Sequence, residues 1–410
     1  MGPTKDSVVA HNANTSSVAS DDQRKTPEYY IGLMSGTSMD GIDAALLMFD
    51  DGLANDQLKL IATHSHVIPA ALRASLIKLA LPGQDGIDRL GNADAQLGEL
   101  LADAAIALLA GTSIKPEQVT AIGSHGQTVR HRPPDDKSEH LPFSLQIGDP
   151  NRIAARTHIT TVADFRRRDI ALGGHGAPLV PAFHKALFQN SDHHRVIVNI
   201  GGISNITDLP VQGAVTGFDT GPGNGLLDAW IQRHLGLPYD DKGQWAASFA
   251  VHTPLLGRLK AHPFIELPPP KSTGREDFNI AWLDHELNQL DAIDPGAVQA
   301  TLLAFTADTI TEAITETTAQ AIAKAPASAA EIYICGGGAL NTALMNTLQR
   351  GLSPAKVSST SELGLNPEWV EAAAFAWLAR QTLLGLPGSL AKVTGASKSE
   401  VLGGIYPVVR

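Results

Sequence analysis

The sequence predicts an α/β protein of two domains, each a mixed sheet flanked by helices, with a cleft between them. Three observations carry this expectation. Buried strands run into glycine-rich turns at three places: early (31–43), midway (196–207) and late (332–341). Ala- and Leu-rich stretches at helical spacing separate those strands. The first two turns share one design, a buried strand, a turn of Gly and Ser, and a return strand. That repetition points to a duplicated fold with a phosphate tail gripped between its halves. The 410 residues suffice for two large domains or three small ones.

Composition bounds the function. The chain is 43% apolar and 18% charged, as soluble globular proteins are. A net charge of -11 argues against a broad nucleic-acid-binding surface. The single cysteine, Cys335, excludes an internal disulfide framework and a Cys-based zinc site, and its apolar strand context suggests a buried thiol. No apolar run reaches the length of a membrane span. Residues 1–28 are polar, lack a signal-peptide core and read as a disordered leader. The cytoplasm is the expected compartment, with no membrane partner.

The first element is the strand Tyr29 to Met34, followed by the turn 35–41 and a second buried strand, Ile42 to Phe49. Gly36 and Gly41 let backbone approach a ligand closely, and the hydroxyls and N–H groups of the turn can form an anion-binding concavity. Asp40 and Asp43 set carboxylates beside it for a hydrated cation. A nucleotide-triphosphate site needs this combination; a plain hairpin turn rich in Gly, Ser and Asp is the alternative. A third strand spans about 58–68, after the turn Asp50-Asp51-Gly52. Two helices fill 69–110, broken at Pro82-Gly83 and stopped by Gly111.

The short strand Val119 to Ile122 ends in Ser124-His125-Gly126-Gln127-Thr128. His125 there could hold a sugar hydroxyl, act as an acid or base, or be a satisfied loop histidine. Residues 131–140 read as a solvated loop, and a short helix lies between Pro150 and Ile159. Next comes Asp164-Phe165-Arg166-Arg167-Arg168-Asp169, three arginines suited to a carboxylate or phosphate, or to an interdomain ion-pair cluster. The strand Ala214 to Phe218 leads to Asp219 at its end, beside Gly221-Pro222-Gly223-Asn224-Gly225 and a helix from 226 to 235. Asp219 fits a general base facing the cleft, or a helix cap. Residues 238–280 hold little regular pattern. Lys271-Ser272-Thr273-Gly274 is not a P-loop, since Pro270 stands where glycine is required. Asp294-Pro295 caps a long helix to about Ala325. The late turn Gly336-Gly337-Gly338 offers bare backbone to a base or ribose. Asn366-Pro367 starts a helix with a small apolar face, on which Glu371 is either a site residue or an outward charge.

Three such turns match the phosphate and adenosine turns of the superfamily of sugar kinases, actin and heat-shock ATPases. The stretches 32–41, 123–128, 163–169, 199–202, 217–224, 270–276 and 335–339, in that order, resemble anhydro-N-acetylmuramic acid kinases from about Tyr30 to about Tyr406. Phe249 stands where that family is expected to carry a glycine. The resemblance implies two actin-like (RNase H-like) domains, 29–194 and 195–366, around an ATP cleft. A helix at about 367–385 returns to the first domain, and 386–410 form a tail. It implies a cytoplasmic kinase of peptidoglycan recycling that takes anhydro-N-acetylmuramic acid, ATP and Mg2+. The 1,6-anhydro ring would be opened by water and O6 phosphorylated. Asp219 matches the family's general base. Gly36, Thr37, Ser38, Met39, Asp40, Gly41, Ile42, Asp43, Gly201, Gly202, Gly336, Gly337 and Gly338 would hold ATP, with Asp40 at the metal. His125, Arg167, Arg168, Asp169 and Glu371 would meet the sugar. No nucleic-acid partner is expected, and a homodimer is left open.

Overall fold

The structure is a computed structural model describing residues 27–36, 39–50, 58–80, 86–134, 140–274, 277–324 and 330–409. Thr37, Ser38, Asp51-Gly52, Pro82-Gly83, residues 135–139, Arg275, Glu276 and nearly all of the leader lie outside these residues.

The first half holds strands β1 (Glu28–Met34), β2 (Gly41–Phe49), β3 (Leu58–Val67) and β4 (Val119–Ser124). A ribbon of β5 (Gln127–Arg132) and β6 (Phe143–Ile147) follows, then β7 (Thr161–Ala163). Its helices are α1 (Ala70–Ala80), α2 (Ile87–Ala110), α3 (Pro150–Thr157), α4 (Arg167–Ala171) and α5 (Val180–Phe188). The second half holds β8 (Arg195–Ile200), β9 (Ile203–Leu209), β10 (Thr216–Pro222), β11 (Glu331–Cys335) and β12 (Val357–Ser359). Its helices are α6 (Gly225–Leu235), α7 (Gln244–Ala247), α8 (Thr253–Lys260), α9 (Ile280–Leu287), α10 (Pro295–Lys324) and α11 (Thr342–Gly351). Helices α12 (Val370–Leu384) and α13 (Ala391–Thr394) and strand β13 (Gly404–Tyr406) complete the chain.

The two main sheets repeat one topology. In the first, β1, β2 and β3 form an antiparallel meander, β4 and β7 lie parallel beyond β1, and β13 adds an antiparallel edge. In the second, β8, β9 and β10 form the meander, while β11 and β12 run parallel beyond β8. The duplication expected from two like turns is therefore present in strand order. In each half the first glycine turn joins the first two strands of the meander.

Helices cover both faces of each sheet. Leu97, Leu101 and Leu108 of α2 pack with Ile31, Ile42 and Leu46. Phe305 and Ile310 of α10 pack with Val196, Val198 and Ile334 of the second sheet. A third core lies between the sheets, where Phe183 and Phe188 of α5 and Phe375 and Trp377 of α12 meet Tyr30, Ala121, Ile197 and Tyr333. Helix α12 is buried at every position from Ala372 to Thr382, as its near-continuous apolar sequence requires. It sits against bare backbone: Gly32 of β1 and Gly123 of β4 are register partners. A Cβ on either would lie 1.7 Å or 1.9 Å from the carbonyl oxygen of Ala372 or Phe375. These glycines set the depth at which α12 docks.

The structure corrects three local expectations and shows how Phe249 fits. The 131–140 segment begins in strand, because His131 and Arg132 extend β5 against Ser144 and Phe143. β10 runs on through a register shift to Pro222, so Asp219 lies inside the strand rather than at its end. The 238–280 region contains α7 and α8, short helices whose apolar positions are too few to show a period. Phe249 is accommodated by laying its ring over Gly296, at the start of α10. Among the described residues, no helix is long and apolar enough to cross a membrane.

Candidate active site

The turn after β1 is braced from behind. Ser35 is buried and its hydroxyl donates to Gln127 Oε1 at 2.7 Å. Met39 N donates to Gly36 O, Met39 itself is buried at φ 55, and Ile68 N donates to Asp40 O. Asp40 is exposed at the turn, and Gly41 and Ile42 begin β2. Asp43 accepts from Ser65 Oγ at 2.8 Å. Burial raises its carboxyl above the usual range, opposed by the Ser65 bond and reinforced by Asp40 and Glu368. The turn therefore places two mutually repelling carboxylates where a cation would relieve them. Among the described residues no group of three or more His, Cys, Asp or Glu could hold a metal ion. A hydrated Mg2+ needs only one or two carboxylates beside phosphate and water, so this pair fits it.

The middle and late turns form one surface. Gly223 and Gly225 N–H donate to Gly202 O, and Asn224 N donates to Gly201 O at 2.7 Å. The side chain of Asn224 donates to Ile200 O. Gly336 adopts φ 77, and a Cβ there would lie 2.6 Å from Asn199 Oδ1 and 2.7 Å from Ile200 O. Glycine is thus required on two grounds, and it lets the late turn close against the end of β8. Gly337 is exposed and Gly338 is buried against Ile200.

Asp219 is 8% exposed. Its Oδ2 accepts from Ser272 Oγ at 2.8 Å and from Thr273 N at 3.0 Å, while its own N–H donates to Lys271 O. The 270–274 loop thus clasps the carboxylate. Lys271 turns away, donating to Ile265 O and covering the ring of Phe264. The helix-cap reading of Asp219 does not hold, since α6 starts six residues later with Asn224 at its cap.

Arg166 is the arginine that reaches inward. Its Nε and Nη2 donate to His125 Nε2 at 3.2 and 2.9 Å, and its Nη1 donates to Gly176 O at 2.8 Å. Burial pulls the guanidinium down to about 10, against the opposing charges of Glu371, Asp169 and Asp219. Those charges come from α12, α4 and β10, so Arg166 is a point where both halves of the chain meet.

His125 accepts both Arg166 N–H groups at Nε2, so the ring proton is on Nδ1, which donates to Gly126 O at 2.9 Å. Burial and the adjacent Arg166 push the imidazole down to about 3. The ring also packs on Phe375, with centroids 4.8 Å apart. Both nitrogens are engaged, so His125 orients Arg166 and is not an acid or base. Arg167 and Arg168 are exposed, with Arg167 paired to Asp164 at 3.3 Å. Asp169 is fully buried; it accepts from Gly176 N and Thr394 Oγ1, both at 2.8 Å. It ties the 173–176 loop to α13 and is not a ligand contact. Arg166 is the N-cap of α4 and Arg167 and Arg168 are its first two residues, so the three side chains leave the backbone in different directions and Arg166 is the one that meets His125 and Gly176.

Glu371 faces the site rather than the outside. Burial raises its carboxyl above the usual range, opposed by Arg166, reinforced by Asp43 and eased by Asn199, whose Nδ2 lies 3.5 Å away. Cys335 is buried beside it, and burial raises its thiol well above the usual range. Sequence reasoning marked the three-arginine run and the 270–276 loop but assigned no role to Arg166, Asn199, Ser272 or Thr273 individually.

The arrangement joins a phosphate-type turn with two carboxylates, a clasped carboxylate and a buried guanidinium across two sheets of like topology. A family model described as anhydro-N-acetylmuramic acid kinase matches residues 28–408. An anhydro-N-acetylmuramic acid kinase of Shewanella halifaxensis is 52% identical over 381 residues, covering 92% of this chain and 98% of that one. One from Coxiella burnetii is 49% identical over 381 residues, covering 92% and 97%. Matched along nearly its whole length by kinases that use ATP, the chain belongs to the anhydro-N-acetylmuramic acid kinase family.

Proposed function

We propose that this kinase opens the 1,6-anhydro ring of anhydro-N-acetylmuramic acid with water and phosphorylates O6. The products are N-acetylmuramic acid 6-phosphate and ADP, and the step belongs to cytoplasmic recycling of the cell wall. The observation that carries this reading is the clasped carboxylate of Asp219, which acts on the same guanidinium as Glu371.

Water attacks the anomeric carbon, and Asp219 takes its proton. The bond from that carbon to O6 breaks with its electron pair on O6. O6 forms a bond to the γ-phosphorus, the bond from γ-phosphorus to the bridging oxygen breaks, and ADP leaves. The proton on Asp219 returns to solvent. Phosphoryl transfer of this kind needs positioning and charge neutralisation above all.

Gly36, Met39, Asp40, Gly41, Ile42 and Asp43 cradle the phosphates together with Thr37 and Ser38, and Gly201, Gly202 and Gly336 to Gly338 hold the nucleoside. Asp40, with Asp43 behind it, would hold a hydrated Mg2+, which supplies charge neutralisation at the phosphates. Arg166, oriented by His125, takes the role expected of Arg167 and Arg168 and binds the sugar's carboxylate, with Glu371 opposite. In this reading 29–194 and 195–366 are the two domains, α12 closes back on the first, and the substrates meet between them.

The test is ADP release with anhydro-N-acetylmuramic acid in water labelled with heavy oxygen, on wild type and Asp219→Asn. Sugar-dependent release with label on the anomeric oxygen, reduced by about 100-fold or more in the variant, supports the reading. Phosphorylation without label would replace it by transfer to a free hydroxyl.

A further inference from the structure

The ribbon β5–β6 has two unlike faces. Val129, Leu145 and Ile147 pack with the core of the first half, and Arg130 Nη2 donates to Leu79 O on that side. Thr128, His131, Ser144 and Gln146 share the other face through their own hydrogen bonds. The ladder shifts register between Thr128 and Arg130, which is how residues three apart come to share a face. Bulges of this kind recur beside active sites, where they re-aim a side chain.

The bonds on the polar face form one relay. Gln146 Nε2 donates to Thr128 Oγ1 at 2.9 Å and to Ser144 Oγ at 2.7 Å, using both N–H groups. Ser144 Oγ also pairs with His131 Nδ1 at 2.9 Å. Burial and the charges of Arg166, His175 and Arg132 push the His131 ring down to about 4, so it is neutral at pH 7; with Ser144 Oγ as the donor to Nδ1, the ring proton is on Nε2. The relay leaves one donor, His131 Nε2–H, and one acceptor, Gln146 Oε1. Both atoms are buried and have no hydrogen-bond partner among the described residues. Leaving two such groups unmade is costly, and a recurring reason to retain them is a ligand.

We propose that this face is an amide-recognition subsite, in which His131 Nε2–H donates to the carbonyl of the sugar's acetamido group and Gln146 Oε1 accepts its N–H. A secondary amide carries one acceptor and one donor, the complement of what the relay presents. Arg166 acts on the His131 ring and is held by His125, so the subsite adjoins the site already described. The inference rests on the sugar reading above. It assigns the acetyl group to the ribbon and leaves the carboxylate to Arg166.

The test compares kcat/KM for anhydro-N-acetylmuramic acid and for its free-amine analogue in wild type, Gln146→Leu, His131→Phe and the milder Ser144→Ala. Wild type is expected to prefer the acetylated sugar by about 100-fold, and that ratio to fall at least about tenfold in the first two variants and by less in Ser144→Ala. Thermal melting identifies the variants that fold. A wild-type ratio in any folded Gln146→Leu or His131→Phe protein overturns the subsite while leaving the kinase reading intact; buried water alone would give that result. Should neither fold, a retained ratio in Ser144→Ala or a wild-type preference below about threefold overturns it equally. If wild type turns over neither sugar, the kinase reading fails and the subsite with it.

Discussion

Gly32→Ala tests the reasoning that one helix sets both stability and the site. The new methyl would lie 1.7 Å from Ala372 O, against a limit of 3.0 Å for real Cβ contacts. The obstacle is backbone, so no rotamer relieves it, and α12 must retreat by at least about 1.3 Å. A radial gap of that size forfeits about half or more of the dispersion energy along the contact. Ala372, Ala373, Phe375 and Ala376 are all buried at this seam. The expected loss is about 3–5 kcal/mol, comparable with the largest core truncations. On a chain of this size that lowers the melting temperature by roughly 4–6 °C. Glu371 precedes Ala372, and its 3.5 Å contact with Asn199 is already at the limit of a hydrogen bond. Turnover should therefore fall with stability. Melting followed by circular dichroism, with ADP release on the folded fraction, measures both. Gly257→Ala is the control: that glycine lies in α8 with nothing within 4 Å of its Cβ position. It should gain about 0.5–1 kcal/mol from helix propensity. A Gly32→Ala protein that melts within about 1 °C of wild type at full activity would refute the argument.

Gly336→Ala combines φ 77 with a methyl 2.6 Å from Asn199 Oδ1, so KM for ATP should rise by about tenfold or more in steady-state assays. Arg166→Lys keeps the charge but loses the fork to His125 and Gly176; kcat/KM for the sugar should drop about 10- to 100-fold, and an unchanged value would remove Arg166 from the site. His125, His131 and His184 are held neutral, pushed from 6.5 to about 3, 4 and 3. A depressed folded pKa gives stability that is complete above 6.5 and lost as pH falls toward the folded value. Together the three should cost about 4 kcal/mol between pH 7.5 and 5.5. Carboxylates raised by burial, such as Glu371, act in the opposite sense, so the histidine share is isolated by substitution. In urea titrations His184→Gln should lower the pH slope by about one proton, and an unaltered slope contradicts the assignment.

The glycine turns were legible because each reports a local requirement, a strand that must turn at once with backbone near a ligand. Asp219 stood out for a related reason, as a carboxylate among glycines next to an apolar run, but its place inside β10 and its clasp by Ser272 and Thr273 were not legible. Helix α12 could be placed from Asn366-Pro367 and its small apolar face. Arg166 could not be chosen over Arg167 and Arg168, because the choice depends on where α4 begins, and three identical residues carry no phase. Nor could the ribbon, whose bulge sets which residues share a face and whose partner strand lies beyond a loop.

By itself the sequence determined the α/β character, the repeated strand–turn–strand plan and the family, and it singled out the carboxylate proposed as the base. These follow from local pattern, which is written residue by residue. The tertiary structure decided which charge points inward, which histidine is spent on orienting it, and which polar atoms of β5–β6 are left unpaired among the described residues. Those follow from register, helical phase and burial, which arise only when distant segments exclude water together and leave each polar atom one place to bond.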